Sequence, residues 1–279
     1  MQFLNFDEQL IPLDGWIQTF VDWLVMNYRD FFQIIKVPVE ISLQGLEWLF
    51  FTVPPWLIIV VFAVVAWRYA GKRVMAFTVL TFLLIGYLGL WDDTMTTLAM
   101  VICSVAFCAV VGIPLGVLAG RSDRFEMLMR PFLDAMQTTP AFVYLIPVVM
   151  LFSIGTVSGI LATIVFALPP IIRLTSLGIR QVHPELIEAA LAFGATSKQV
   201  LFKVQFPLAL PSIMAGLNQT LMMALSMVVI AALIGAGGLG NPVVQGLNTL
   251  EIGLATIGGL SIVLLAMVLD RITQGFGKK

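Results

Sequence analysis

Few side chains in this protein can do chemistry, and in its second half they gather in one stretch. Residues 188–207 read EAALAFGATSKQVLFKVQFP and set Glu188, Lys198 and Lys203 among small and apolar residues. The apolar runs on either side, 157–172 and 212–234, hold no Asp, Glu, Lys, Arg or His. The same holds at 94–118, 140–152 and 252–269, so no group at membrane depth is suited to bind a coupling proton or sodium ion. Gly71-Lys72 and Gly277-Lys278 lack both the preceding glycine and the Ser or Thr of a phosphate-binding loop, which excludes ATP hydrolysis by that mechanism. His183, the lone histidine, lies in a polar loop and argues against haem ligation. Cys103 and Cys108 sit five apart in an apolar run, where a helix turns them to different faces; they read as small filler rather than a disulfide or metal pair. No residue reads as catalytic or metal-ligating. What remains is contact chemistry. Glu188 offers a carboxylate to a partner's charge, and Ala189, Ala190 and Ala192 let another surface approach closely.

Such a surface needs a support, and the composition says what kind. Of 279 residues, 59% are hydrophobic and 11% charged, with a mean hydropathy of +1.01; a soluble domain carries roughly a quarter charged residues. The chain is therefore an all-α integral membrane protein. Runs approaching the roughly 20 residues of a spanning helix occur at 54–69, 74–91, 94–118, 140–152, 157–172, 212–234 and 252–269, which predicts about seven spans. Thirteen of the fifteen Lys and Arg follow the first, third, fifth and seventh runs, and the alternate connections hold none. Cytoplasmic loops carry that excess, so the C-terminus is expected inside and the N-terminus outside. The net charge of −1 gives no reason to expect a nucleic-acid partner. Residues 1–53 show no basic region with a cleavage site, so no removable signal peptide is expected. Trp16, Phe20, Trp23, Leu24, Phe31 and Ile35 recur there at helical spacing, as in an amphipathic helix lying in the headgroup plane.

Local signals shape the polar stretch. Pro184 suits a first helical turn, and Glu185 and Glu188 fall near the positive end of the helix dipole. Gly194 marks a C-cap; a second helix is expected to start after Thr196 or Ser197 and to end before Pro207. Each half is about 10 residues, or about 15 Å, too short to cross a bilayer. A translocation route is expected along the fourth and fifth runs, where prolines 140, 147, 169 and 170 break helical hydrogen bonds. Its candidate lining is Gln137, Thr138, Pro140, Phe142 and Tyr144, with Asn218 either at the gate or bonded across a helix contact. A polytopic protein without an energy source of its own is a channel, a passive scaffold or a subunit driven by a partner.

The spacing in 188–207 bears on that choice. Glu188-Ala189-Ala190, three residues, Gly194, nine residues and Val204-Gln205-Phe206-Pro207 resemble the cytoplasmic EAA loop of bacterial ABC importer permeases, with Val204 and Phe206 in place of Ile and Leu. The stretches MQTTPAFVYLIPVVMLFSIG (136–155), FALPPIIRLTSLGIRQV (166–182) and NQTLMMALSMVVIAALIGAGGLG (218–240) are similar to the permeases of glycine betaine, proline betaine and choline importers. The resemblance implies a type I ABC importer transmembrane fold. It divides the chain into an external segment (1–53), two peripheral spans (54–91), a five-helix core (94–270) with the coupling loop at 184–207, and a cytoplasmic tail (271–279). It also implies a homodimer in a bacterial inner membrane, joined by two ATP-binding subunits that hold ATP and Mg and by a substrate-binding protein. Glu188, Ala189, Ala190, Gly194 and Pro207 would then couple the permease to the ATPase. A permease for another small solute such as an amino acid, or a passive channel or scaffold, are the alternatives.

Overall fold

Backbone amides inside a bilayer find no water to bond, so a chain this apolar satisfies them within helices. The computed structural model describes residues 12–277, and its regular structure there is helical. In order the α-helices are α1 (Leu13–Thr52), α2 (Pro55–Ala70), α3 (Lys72–Tyr87), α4 (Trp91–Arg121), α5 (Asp123–Thr138), α6 (Ala141–Phe152) and α7 (Thr156–Arg180). They continue with α8 (Pro184–Ala192), α9 (Ser197–Val200), α10 (Phe206–Ala232), α11 (Gly240–Thr249) and α12 (Ile252–Phe276). The first eleven residues of the expected external segment, and Lys278 and Lys279 of the expected tail, lie outside the described residues.

Four stretches are long and apolar enough to cross a membrane: α4, α7, Ser197–Ala232 and α12. Two bent pairs add up to two more, Asp30–Thr52 with α2 at 108° and α5 with α6 at 101°. The seven expected runs thus become four to six candidate spans. The run at 74–91 is divided between α3 and the start of α4 by Gly89, whose φ is +75°, leaving α3 about 24 Å long. The run at 140–152 becomes the 12-residue α6, about 18 Å. It follows a corner at Thr139-Pro140, since a residue before proline is pushed out of the helical region, and Thr139 is extended at ψ 126°. Tyr144 braces that corner by donating its hydroxyl to the Met136 carbonyl at 2.5 Å. Tyr144→Phe is expected to cost about 1 kcal/mol, read as a lower thermal midpoint of the purified protein.

α7 is the centre of the core and packs most extensively against α4 and α10. Gly112, Gly116 and Gly120 line one face of α4 against Ile171, Thr175 and Ile179 of α7. A Cβ on Gly116 would stand 2.5 Å from Thr175 Cβ and 2.7 Å from the Ile172 carbonyl oxygen. On the α10 side, a Cβ on Gly178 would stand 2.8 Å from Ser212 Cβ, and one on Gly216 would stand 3.1 Å from the Ile171 side chain. Lipid is as apolar as leucine, so such close van der Waals packing, rather than exclusion of water, holds the three helices together. Pro169 and Pro170 are buried inside an unbroken α7, so the fifth run does not open where its prolines fall.

The N-terminal segment divides in two. α1 kinks at Tyr28 (φ −122°, ψ 19°). Beyond the kink Val39 and Leu43 are buried, and Phe32 meets Phe152 edge-on at 5.7 Å. Hence only the part before the kink, exposed except for half-buried Val21, Leu24 and Val25, has the character of a helix lying at an interface; the rest packs on α4, α6 and α7. The glycine-rich stretch 235–242 is likewise an internal packing element. Thr97 of α4 accepts the Leu239 N–H at 2.8 Å, and Ala236, Leu239 and Gly240 are buried. Cys103 and Cys108 are buried and free.

The basic helix ends meet. Arg180 in the last turn of α7 donates to the Ala119 carbonyl near the end of α4 at 2.7 Å, and Arg121 donates to Ser197 Oγ at 2.6 Å. α5 lies against this end through ion pairs to α7. Arg180 meets Asp123 at 2.6 Å and Glu126 at 2.9 Å, and Arg173 meets Asp134. These side chains are about a third or more exposed, so each pair orients α5 more than it stabilises the fold.

Candidate functional site

The stretch Pro184–Gly194 folds as the local signals require. Pro184 opens α8 with Glu185 in its first turn. Gly194 at φ +82° closes it. The Ala195 N–H bonds the Ala190 carbonyl at 3.0 Å and the Gly194 N–H bonds that of Leu191 at 2.9 Å, the paired bonds of a Schellman cap. Thr196 then caps α9 reciprocally with Gln199: its own N–H reaches Gln199 Oε1 at 2.8 Å, and its hydroxyl accepts from the Gln199 N–H at 3.4 Å. Thr196→Ala should lower the local stability of α9 by about 1 kcal/mol, seen as faster hydrogen exchange at the amides of Gln199 and Val200.

The second half departs from expectation. It does not stop before Pro207 but runs on as one rod, Ser197–Ala232, through a π-helical turn at Leu201–Gln205. Proline has no N–H to give, and its ring crowds the carbonyl four residues back. Widening the preceding turn relieves both demands, and the Phe206 N–H bonds the Leu201 carbonyl five residues earlier. The surface helix α9 is therefore the N-terminal end of the span that contains α10. Val200 and Leu201 are buried at its root, and Arg121 fastens Ser197 to the end of α4.

No residue of α8 is buried. Leu186, Leu191 and Phe193 are exposed, Phe193 to 93%; Glu188 and Ala189 are exposed and Ala190 is half-buried. The surface thus has an apolar footing, two exposed carboxylates, Glu185 and Glu188, and a low alanine step. Among the described residues no three His, Cys, Asp or Glu side chains gather as a metal site. The arrangement can bind another protein and transmit its movement.

Of the candidate route residues, Gln137, Thr138, Pro140 and Phe142 are exposed at the α5–α6 corner, with Tyr144 half-buried beside them and its ring 6.1 Å from that of Phe166. Asn218 is not brought to that corner. It bonds across to α12 instead, donating to Asp270 at 2.9 Å and accepting from Thr273 at 2.7 Å. Sequence reasoning missed Asp270 and Thr273, because a polar pair near a span's C-terminal end looks like the start of a tail. It also missed Gly112, Gly116 and Gly120, although their spacing of four is the sign of a close helix contact.

The relatives agree with this geometry. The profile of the family described as "Binding-protein-dependent transport system inner membrane component" matches residues 112–279. The chain is 54% identical over 273 residues to the glycine betaine/proline betaine transport system permease protein ProW of Escherichia coli, covering 98% of this chain and 77% of the relative. It is 46% identical over 269 residues to the glycine betaine transport system permease protein OpuAB of Bacillus subtilis, covering 96% and 95%. Among solved structures, the inward-facing MetNI methionine ABC transporter matches with a TM-score of 0.58 and 29% identity over 68% of this chain and 93% of that one. With its small-residue core, an exposed capped helix and a short surface helix continuous with a span, this chain belongs to the family of binding-protein-dependent transport system inner membrane components.

Proposed function

We propose that this chain is the membrane permease of an ATP-driven importer for a quaternary ammonium solute, glycine betaine, proline betaine or choline. Relatives about half identical carry glycine betaine in their names, which supports the substrate class. Two copies of the chain pair with two ATP-binding subunits that hold ATP and Mg, and a separate binding protein delivers the solute. The chain sits in a bacterial inner membrane with its N-terminus outside and its C-terminus, beside the basic helix ends, in the cytosol.

One observation carries the mechanism: α8 has no buried residue and lies against α9 and the wide turn, while α9 is fused to a span. Glu188 makes a charged contact with the ATPase, Ala189 and Ala190 allow close approach, Gly194 sets the angle between α8 and α9, and Pro207 fixes the wide turn above them. Closure of the ATPase dimer on ATP pushes this unit, the spans rock, and the route opens outward; hydrolysis reverses the movement. Gln137, Thr138, Pro140, Phe142 and Tyr144 line the route at the α5–α6 corner.

The test is uptake by the full complex in vesicles with ATP inside and binding protein outside. Accumulation of glycine betaine that needs ATP and is competed by proline betaine or choline, but not by methionine, supports the reading. Uptake driven by a sodium or proton gradient without ATP would sink it.

A further inference from the structure

Rocking a rod inside a bundle requires that some of its contacts let go. The contacts of α10 with α7 are poorly suited to that, because Gly178 and Gly216 place backbone against side chain at close range, and parting such surfaces forfeits dispersion with nothing gained in exchange. The contact with α12 has a different chemistry. Asn218 lies about two turns inside the apolar run at 212–234 and uses both ends of its amide. Its Nδ2 donates to Asp270 Oδ1 at 2.9 Å, and its Oδ1 accepts from the Thr273 hydroxyl at 2.7 Å. No Lys or Arg among the described residues forms an ion pair with Asp270.

Each group on α12 has a second partner on its own helix. The Thr273 hydroxyl stands 2.5 Å from the Leu269 carbonyl oxygen and 3.1 Å from that of Asp270. It has one proton, so it bonds either across to Asn218 or back along α12. The Gln274 side chain donates to both Asp270 oxygens at 2.8 Å. When α10 moves away, Thr273 turns its proton inward and Asp270 keeps its amide donor, so α12 is left with no stranded polar group. Asn218 borders an open cleft of about 450 Å³ between the two helices, lined also by Pro211, Gln219, Met222 and Gln274. Water there can replace the partners it loses. A polar contact withdrawn from water is costly to open where a donor or acceptor is stranded; here the three residues are half-buried and that cost is largely removed on both sides.

From this we infer that Asn218, Asp270 and Thr273 form a releasable latch between the lever-bearing α10 and α12, opened and remade in each transport cycle. These are positioning residues: they set which way the rod rests, and they touch no solute. The inference rests on the importer reading above.

A removable pin tests it. The Cβ positions of residues 214 and 277 are 3.4 Å apart, close to the separation across a disulfide. A Met214→Cys and Gly277→Cys pair, in a chain with Cys103→Ala and Cys108→Ala, therefore pins α10 to α12 beside the latch without altering it. In the full vesicle complex, oxidation should lower ATP-driven glycine betaine uptake at least tenfold, and reductant should restore it. Uptake that continues at the reduced rate while the disulfide is complete overturns the latch. Asn218→Leu should lower uptake about tenfold while ATP hydrolysis persists, and the exchange Asn218→Asp with Asp270→Asn should return it to within threefold of wild type. Wild-type uptake by Asn218→Leu also overturns it. If the wild-type complex shows no ATP-driven uptake at all, the importer reading fails instead, so the two failures are told apart.

Discussion

Replacing Gly116 by valine is expected to abolish the assembled protein. The first added carbon would lie 2.5 Å from Thr175 Cβ and 2.7 Å from the Ile172 carbonyl oxygen. The second of these is backbone, so no rotamer change relieves the clash, and α4 and α7 must separate. Overpacking typically costs about 1–3 kcal/mol, occasionally more, and here the separation also breaks the neighbouring contacts at Gly112 and Gly120. With native proteins only about 5–15 kcal/mol stable, the expected result is loss of most folded protein from detergent extracts. Gly253→Ala supplies the control, since nothing lies within 4 Å of a Cβ there. A monodisperse Gly116→Val protein with a wild-type melting midpoint would refute the account of the core.

The second large effect is expected at Gly194, and it is functional. Open space surrounds this residue, so an added side chain meets no neighbour, yet its φ of +82° disfavours a β-branched side chain. Gly194→Val should therefore unwind the Schellman cap and misdirect α8 while leaving every buried contact in place. Insertion and thermal midpoint should stay near wild type. ATP-driven uptake should fall at least tenfold, with hydrolysis persisting or rising. Normal uptake at normal expression would remove Gly194 from the coupling path.

The contrast between these two glycines shows what a sequence makes legible. Gly194 was readable because a helix stop, a capping Thr and a later proline fall at fixed offsets, and local rules govern each. The membrane class and the basic asymmetry were readable because they are sums over many residues. The α5–α6 corner was not. Hydropathy measures apolar length and not direction, and five of the sixteen residues of α5 are charged, so 123–138 reads as a loop until Arg173 and Arg180 of α7 are seen to pair with its acids. Continuity through Pro207 was hidden for a related reason: proline usually ends a helix, and the wide turn that carries the axis past it depends on support from buried Val200 and Leu201. Asn218 was seen, but its partners lie more than 50 residues away, beyond any spacing rule.

The unbroken axis from Ser197 to Ala232 has a mechanical corollary. At about 1.5 Å per residue, the tight contact of Ser212 with Gly178 divides it into an N-terminal arm of about 22 Å and a C-terminal arm of about 30 Å. If that contact is the fulcrum, a push of about 3 Å at the Ser197 tip, as an illustrative stroke, swings the far end about 4 Å the opposite way. A see-saw of these proportions opens one mouth of the membrane as it shuts the other, without any helix having to bend.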